Sequence, residues 1–254
     1  VAESAPPLLL GIVVILLAGP QRWGEPRTKR SLTNIELCVD VSGSMVATFG
    51  DGTRYDTSMK SIDEFLTYRK GDAFGLTFFG HTYLHWVPLT SDVSAIRCAP
   101  PFMRPEVAPP WMGGTQIGLA LRGCLKVLTQ REEGDRMIIL ISDGASADLH
   151  SGNDLEIGRE LRRANIVLYH IHISPEPVPE EIHNVVGVTG GEVFHPGDPE
   201  ALKAVFRRID QMQQTKLEKT LAEAMDDFPM WCLIGLGLLS VTSLCMFGVR
   251  YTPW

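Results

Sequence analysis

The chain of 254 residues is short of positive charge: 23 Lys and Arg stand against 30 Asp and Glu, for a net charge of −7. A nucleic-acid reader needs a basic face, and this sequence offers only short clusters such as Arg27–Arg30, so nucleic acid is not an expected partner. Cysteine is also scarce. Cys38, Cys98, Cys124, Cys232 and Cys245 are odd in number and include no CxxC pair, which excludes a disulfide framework and a zinc ribbon. A Cys98–Cys124 bridge is the pairing left open. There is no internal repeat and no GxSxG elbow, and the serines have no identifiable histidine partner.

What the chain does have is apolar sequence at both ends. Phe228–Val249 is 22 uncharged residues, bounded by Asp226–Asp227 and Arg250. As a helix it would rise about 33 Å, enough for a bilayer core of about 30 Å. Trp231 at one end and Tyr251 and Trp254 at the other suit the headgroup zones. Near the N-terminus, Leu8–Gly19 forms a shorter apolar run. No basic segment precedes it and no small-x-small cleavage site follows, so a membrane helix is favoured over a signal peptide. The expected organisation is an N-terminal transmembrane helix and basic linker (1–30), a central domain (31–212), a connecting segment (213–227) and a C-terminal transmembrane helix with a short tail (228–254). Lys and Arg on the domain side outnumber Arg250, which argues for a cytoplasmic domain. The second helix, acidic before and basic after, argues the reverse.

Between the ends, strand and helix patterns alternate. Ile35–Val41, Phe74–Phe79, Met137–Ser142 and Ile166–Ile173 are short branched or aromatic runs that read as buried strands. Tyr83–Pro88 follows Phe74–Phe79 after only Gly80-His81-Thr82, so this pair is a hairpin and an antiparallel edge. Asp56–Lys70, Gln116–Thr129, Asp154–Asn165, Glu180–Gly187 and Pro199–Met212 read as helices, Glu192–His195 as a short strand, and Ala99–Pro110 as a Pro-rich loop. The fold class is therefore α/β, a doubly wound, mostly parallel sheet of Rossmann-like type.

Three pieces fall at strand ends on one edge of that sheet. Asp40-Val41-Ser42-Gly43-Ser44 leaves the first strand, Gly113-Gly114-Thr115 precedes a helix, and Ser142-Asp143-Gly144 ends the MIILIS strand. Two carboxylates and three hydroxyls, without thiolate or imidazole, make a hard oxygen site suited to Mg²⁺, or to Mn²⁺ or Ca²⁺. An octahedral ion there would leave a position open to a partner's Asp or Glu.

Asp40, Ser42, Ser44, Thr115 and Asp143 resemble the metal-ion-dependent adhesion site of von Willebrand factor A (VWA) domains, whose pattern is DxSxS, then a distant Thr, then a distant Asp. The segments LLAGPQR, IELCVDVSGSM, RKGDAFGLTFFG and TGGEVF extend the likeness. With them, nearly the whole chain is similar to bacterial aerotolerance-operon (Bat-type) VWA membrane proteins. That resemblance implies a domain on the periplasmic side of the inner membrane, and the missing catalytic motifs make an enzyme an unexpected reading. The resemblance also implies recognition of acidic groups and work alongside MoxR-type AAA+ ATPases on membrane complexes. The Pro-rich loop before Thr115 departs from the pattern.

Trp111 and Met112 are placed to form an apolar rim that helps choose a partner, or else simply pack in their loop. His170 and His172 face the same way on one strand but lack an adjacent third zinc ligand. Asp154, Glu156 and Arg159 read as a solvated helix face, and Cys38 as an inert core residue. An aspartyl-phosphate enzyme would need a second acid where Ser42 stands and a phosphate-holding Lys. A scaffold subunit whose metal is incidental is the remaining alternative.

Overall fold

Strands that are apolar on both faces must be covered on both faces, which requires helices above and below the sheet. The computed structural model describes residues 5–23, 28–30, 33–69, 71–131, 134–144, 146–214, 217–219 and 224–248. They fall into two units, residues 30–216 and residues 1–29 with 217–254.

The main sheet of the larger unit has six strands among the described residues: β1 (Thr33–Asp40), β2 (Ala73–Phe79), β3 (Tyr83–Thr90), β4 (Asp135–Ser142), β5 (Ile166–His172) and β6 (Val193–Phe194). Their order is β6-β5-β4-β1-β2-β3. Every neighbouring pair is parallel except the β2–β3 hairpin, as the short Gly80–Thr82 connection predicts. Five helices, α1 (Arg54–Tyr68), α2 (Ile117–Thr129), α3 (Asn153–Arg163), α4 (Glu180–Thr189) and α5 (Pro199–Gln214), lie within a few residues of their predicted spans.

Alternate residues of each strand face opposite layers. Leu37, Val39, Ile139, Ile141 and Ile171 share one core with Met59 and Phe65 of α1 and Phe206 of α5. Cys38, Ile138, Leu140 and Leu168 share the other with Leu121 of α2, Leu161 of α3 and Val185 of α4. The helix ends carry their own signals. Thr53 Oγ1 accepts the Asp56 N–H (3.0 Å) at the start of α1, and Asn165 leaves α3 in the left-handed region (φ 55°). One expectation fails on α3. Asp154 is not solvated but buried, and its Oδ2 accepts the Asn184 side-chain amide (2.8 Å), tying α3 to α4. The Cys98–Cys124 bridge is absent too: Cys38, Cys98, Cys124 and Cys232 are free, with Cys98 exposed and Cys124 buried against Cys38.

From β1 the chain winds outward through β2 and β3, then returns to the opposite side of β1 at β4. The strand order reverses between β1 and β4, which opens a crevice at their carboxyl ends. Asp40 and Asp143 arrive there from the two sides.

In the smaller unit, helix Ala5–Leu17 packs Ile12 against helix Phe228–Gly248, where a Cβ on Gly235 would lie 3.4 Å from Ile12 Cγ2. Gln21–Trp23 pairs antiparallel with Ala224–Asp226. Among the described residues no helix is long and apolar enough to cross a membrane, which corrects the expected pair of flanking transmembrane helices. The first helix has 13 residues, because Ala18-Gly19-Pro20 turns the chain with Gly19 at φ +67°. Such a helix rises only about 20 Å against the bilayer's 30 Å or so. The C-terminal helix has 21 residues, with side chains described as far as Leu244. Tyr251 and Trp254 lie outside the described residues.

Candidate metal site

The loop leaving β1 is shaped by Asp40. Its carboxylate is fully buried, Oδ1 accepts the Ser42 N–H (2.8 Å) and Oδ2 accepts the Ser142 hydroxyl (2.7 Å). With Ser42 held this way, Gly43–Val46 closes a 3-10 turn, and the Ser42 and Ser44 hydroxyl oxygens come within 3.0 Å of each other. Burial pushes the Asp40 carboxyl up to about 6 and the nearby Asp143 carboxylate adds to this, against hydrogen bonds from Ser42 and Ser142. A proton on Asp40 competes with any cation in the crevice. Divalent-ion affinity is therefore expected to fall about tenfold per pH unit below about 6, checked by calorimetric titration at pH 5, 6 and 7.

Asp143 follows β4. Its Oδ1 is buried without a hydrogen-bond partner, and its Oδ2 lies 3.6 Å from Arg54 Nη1. Arg54 Nη1 also donates to the Ser44 carbonyl (3.3 Å), so one guanidinium spans the β1 loop and Asp143. Next comes Gly144, at φ +85°, where a Cβ would lie 2.9 Å from His172 Nδ1.

The Thr115 loop is clipped to both neighbours. The Ala147 N–H donates to the Thr115 carbonyl (3.0 Å), the Gln116 N–H to the Gly80 carbonyl (2.8 Å), and the His81 N–H to the Met112 carbonyl (3.0 Å). Ser146 Oγ accepts the Ile117 N–H (3.0 Å), while Asp148 accepts those of Gly118 (3.0 Å) and Leu119 (2.7 Å). The start of α2 is thus capped by the loop that carries Asp143. Gly80 is where this assembly is tightest, since a Cβ there would lie 1.9 Å from the Met112 carbonyl oxygen. Gly80→Ala is expected to destabilise the fold by about 2–3 kcal/mol and to displace the Thr115 loop, read from urea unfolding.

Asp40, Ser42 and Ser44 therefore share one turn, and Asp143 is joined to that turn through Arg54. Half-buried Thr115 is tied to the Asp143 loop through its backbone. Trp111 is 54% exposed, but Met112 is 1% exposed within the core, so the expected two-residue rim keeps only its tryptophan. Sequence reasoning missed Ser142, Arg54 and the Ser146–Asp148 clamp. Ser142 had a signal, being a polar residue closing an apolar strand beside Asp143. Arg54 had none.

The residues present fit a hard divalent cation. Asp143 keeps one carboxylate oxygen buried and unpartnered, the β1 loop brings two hydroxyls together, Arg54 bridges that loop and Asp143, and every donor is oxygen. Among the described residues no group of three or more His, Cys, Asp or Glu is placed to hold a metal. The His170–His172 pair gains a neighbour in His195, whose ring meets that of His172 edge-on at 5.0 Å. However, His172 Nε2 is engaged with the Glu176 carbonyl (2.9 Å) and His195 Nε2 with that of Ser174.

Residues 35–145 match the model of the von Willebrand factor type A domain. No curated protein matches the chain. Among solved structures, an aerotolerance-related membrane protein from Bacteroides fragilis superposes with a TM-score of 0.61 at 17% identity, covering 72% of this chain and 99% of that one. BatB from Bacteroides thetaiotaomicron gives 0.59 at 18% identity, covering 71% and 98%. The vWF domain of the type V pili tip protein Mfa5 from Porphyromonas gingivalis gives 0.60 at 12%, covering 77% and 99%. Residues 35–145 thus match a von Willebrand factor type A domain, and the fold is similar to that of the Bat-type aerotolerance proteins.

Proposed function

We propose that this domain is a non-enzymatic binding module that captures a partner protein's Asp or Glu through a bound divalent ion, most simply Mg²⁺. The observation that carries this is Asp143 Oδ1, buried and unpartnered, on a carboxylate that Arg54 ties to the loop holding the paired Ser42 and Ser44 hydroxyls. Ser42, Ser44, Thr115 and Asp143 hold the ion, and Asp40 fixes the turn and reaches the ion directly or through water. The ion supplies a hard positive centre with an open position for a carboxylate. Mn²⁺ and Ca²⁺ suit the same oxygen donors. Exposed Trp111 stands at the end of the Thr115 loop as an apolar contact for the partner.

The terminal unit seats the domain at the bacterial inner membrane as a helical hairpin rather than as two independent spans. Leu10, Leu17, Leu233, Leu236 and Leu244 are each more than half exposed, and Phe228–Gly248 carries no charge. The Bat-type resemblance favours a periplasmic domain that assembles or stabilises a membrane complex, with a MoxR-type AAA+ ATPase as companion.

A second reading is a scaffold whose association needs no metal. It is favoured by the Arg54–Asp143 ion pair, which satisfies much of the crevice without an ion. Affinity capture of the detergent-extracted protein separates the two readings. With Mg²⁺ the wild type is expected to retain a partner that is lost in EDTA and with Asp143→Ala. A partner that survives both changes supports the scaffold instead.

A further inference from the structure

Arg54 is the first residue of α1, and its role goes beyond starting a helix. Its backbone N–H donates to the Ala47 carbonyl (2.9 Å), which fixes the base of the side chain against the β1 loop. The guanidinium then lies 3.3 Å from the Ser44 carbonyl oxygen and 3.6 Å from Asp143 Oδ2, with both side chains only 13% exposed. Two acidic residues meet at this crevice, and Arg54 supplies it with a positive charge that it cannot lose by deprotonation.

We propose that Arg54 is a tethered stand-in cation, holding Asp143 in the metal-free protein so that a divalent ion must displace it to gain Asp143 as a ligand. The inference rests on the metal reading above and deepens it, because it concerns how tightly that site holds its ion. The guanidinium and the ion compete for one carboxylate, and while they are neighbours they repel. Metal-free protein is spared an unpaired Asp143, and the site fills only above a threshold of ion concentration. The site is thereby responsive to divalent ions rather than permanently loaded.

The test is Mn²⁺ uptake by the full-length, detergent-solubilised protein, with free ion followed by electron paramagnetic resonance, together with thermal melts in EDTA. A unit charge within about 6 Å of a divalent ion, weighed with a water-like dielectric, weakens binding about tenfold, so Arg54→Gln is expected to bind Mn²⁺ about tenfold more tightly than wild type. Arg54→Lys keeps the charge and is expected to stay within about threefold of wild type. In EDTA, Arg54→Gln is expected to melt below wild type. Arg54→Met keeps the apolar stem and provides a second charge-free variant, expected to show the same gain, should the glutamine variant fail to fold. Charge-free variants that fold and bind Mn²⁺ no more tightly than wild type overturn the inference while leaving the metal reading standing. If neither wild type nor any variant takes up Mn²⁺, the metal reading falls and takes this inference with it.

Discussion

Glu36→Gln is expected to stabilise the protein strongly at alkaline pH and to change it little at pH 5. Glu36 is completely buried in the middle of β1. The Thr77 hydroxyl donates to its Oε1 (2.5 Å) and also meets His85 Nδ1 (2.7 Å), while Oε2 has no partner and fills the space where a Cβ on Gly75 would sit. Burial pushes its carboxyl up to about 8, against the Thr77 hydrogen bond. A folded-state value above the unfolded one means that its contribution is fully present below the unfolded value of 4.5 and is lost as pH rises through about 8. At about 1.4 kcal/mol per tenfold change in proton affinity, the charged form costs on the order of 4–5 kcal/mol. Glutamine keeps the shape and stays neutral. Urea unfolding at pH 5, 7 and 9 should give near-equal stabilities at pH 5 and a growing advantage for the variant above pH 7. Parallel pH profiles for the two proteins would count against a buried neutral acid.

Histidine sets the opposite limit. Burial, aided by His172, pulls His170 down to about 3, so its neutral ring contributes stability that is lost as pH falls from about 6.5 toward 3. Glu36 and His170 offset each other between about pH 4.5 and 6.5, so their joint contribution is expected to be level there and to fall on either side, where one or the other is driven to ionise in the core.

The second large effect concerns the ion. Anything that binds only the folded state stabilises it by mass action, by about 2.7 kcal/mol at a hundred times its dissociation constant. Saturating Mg²⁺ is therefore expected to raise the melting temperature of the wild type. Asp143→Ala should melt at the same temperature with and without Mg²⁺, because it loses the site's only unpartnered buried carboxylate oxygen among the described residues. An equal Mg²⁺ shift in the variant would place the ion elsewhere.

Much of this was readable in the sequence because the determinants are local. Short, continuous runs of branched apolar residues marked β1, β4 and β5 as buried strands, and the three-residue Gly80–Thr82 connection predicted the hairpin. Asp40, Ser42 and Ser44 fall within five residues, and Thr115 and Asp143 flank elements whose ends the pattern marks. What escaped is what only folding brings together. Ser142 meets Asp40 across 102 positions, and Asp148 caps α2 from 30 positions away. Arg54 looked like an ordinary helix start, and Met112 looked like a rim residue because its loop is rich in proline. Its burial follows from the hydrogen bonds that pin that loop to Gly80 and His81. At the N-terminus, apolar composition suggested a span, but helix length is set by the Gly19–Pro20 turn, which composition does not register.

The account's central claim is a bound ion with a position open to a carboxylate. Water-proton relaxation of the Mn²⁺-loaded protein addresses it directly, because an exchangeable water on the ion enhances relaxation and a ligand that replaces that water removes the enhancement. The expected result is an enhanced signal that falls on adding a short Asp- or Glu-bearing peptide and is unmoved by its Asn or Gln counterpart. Absence of enhancement, or equal effects from both peptides, would contradict the claim.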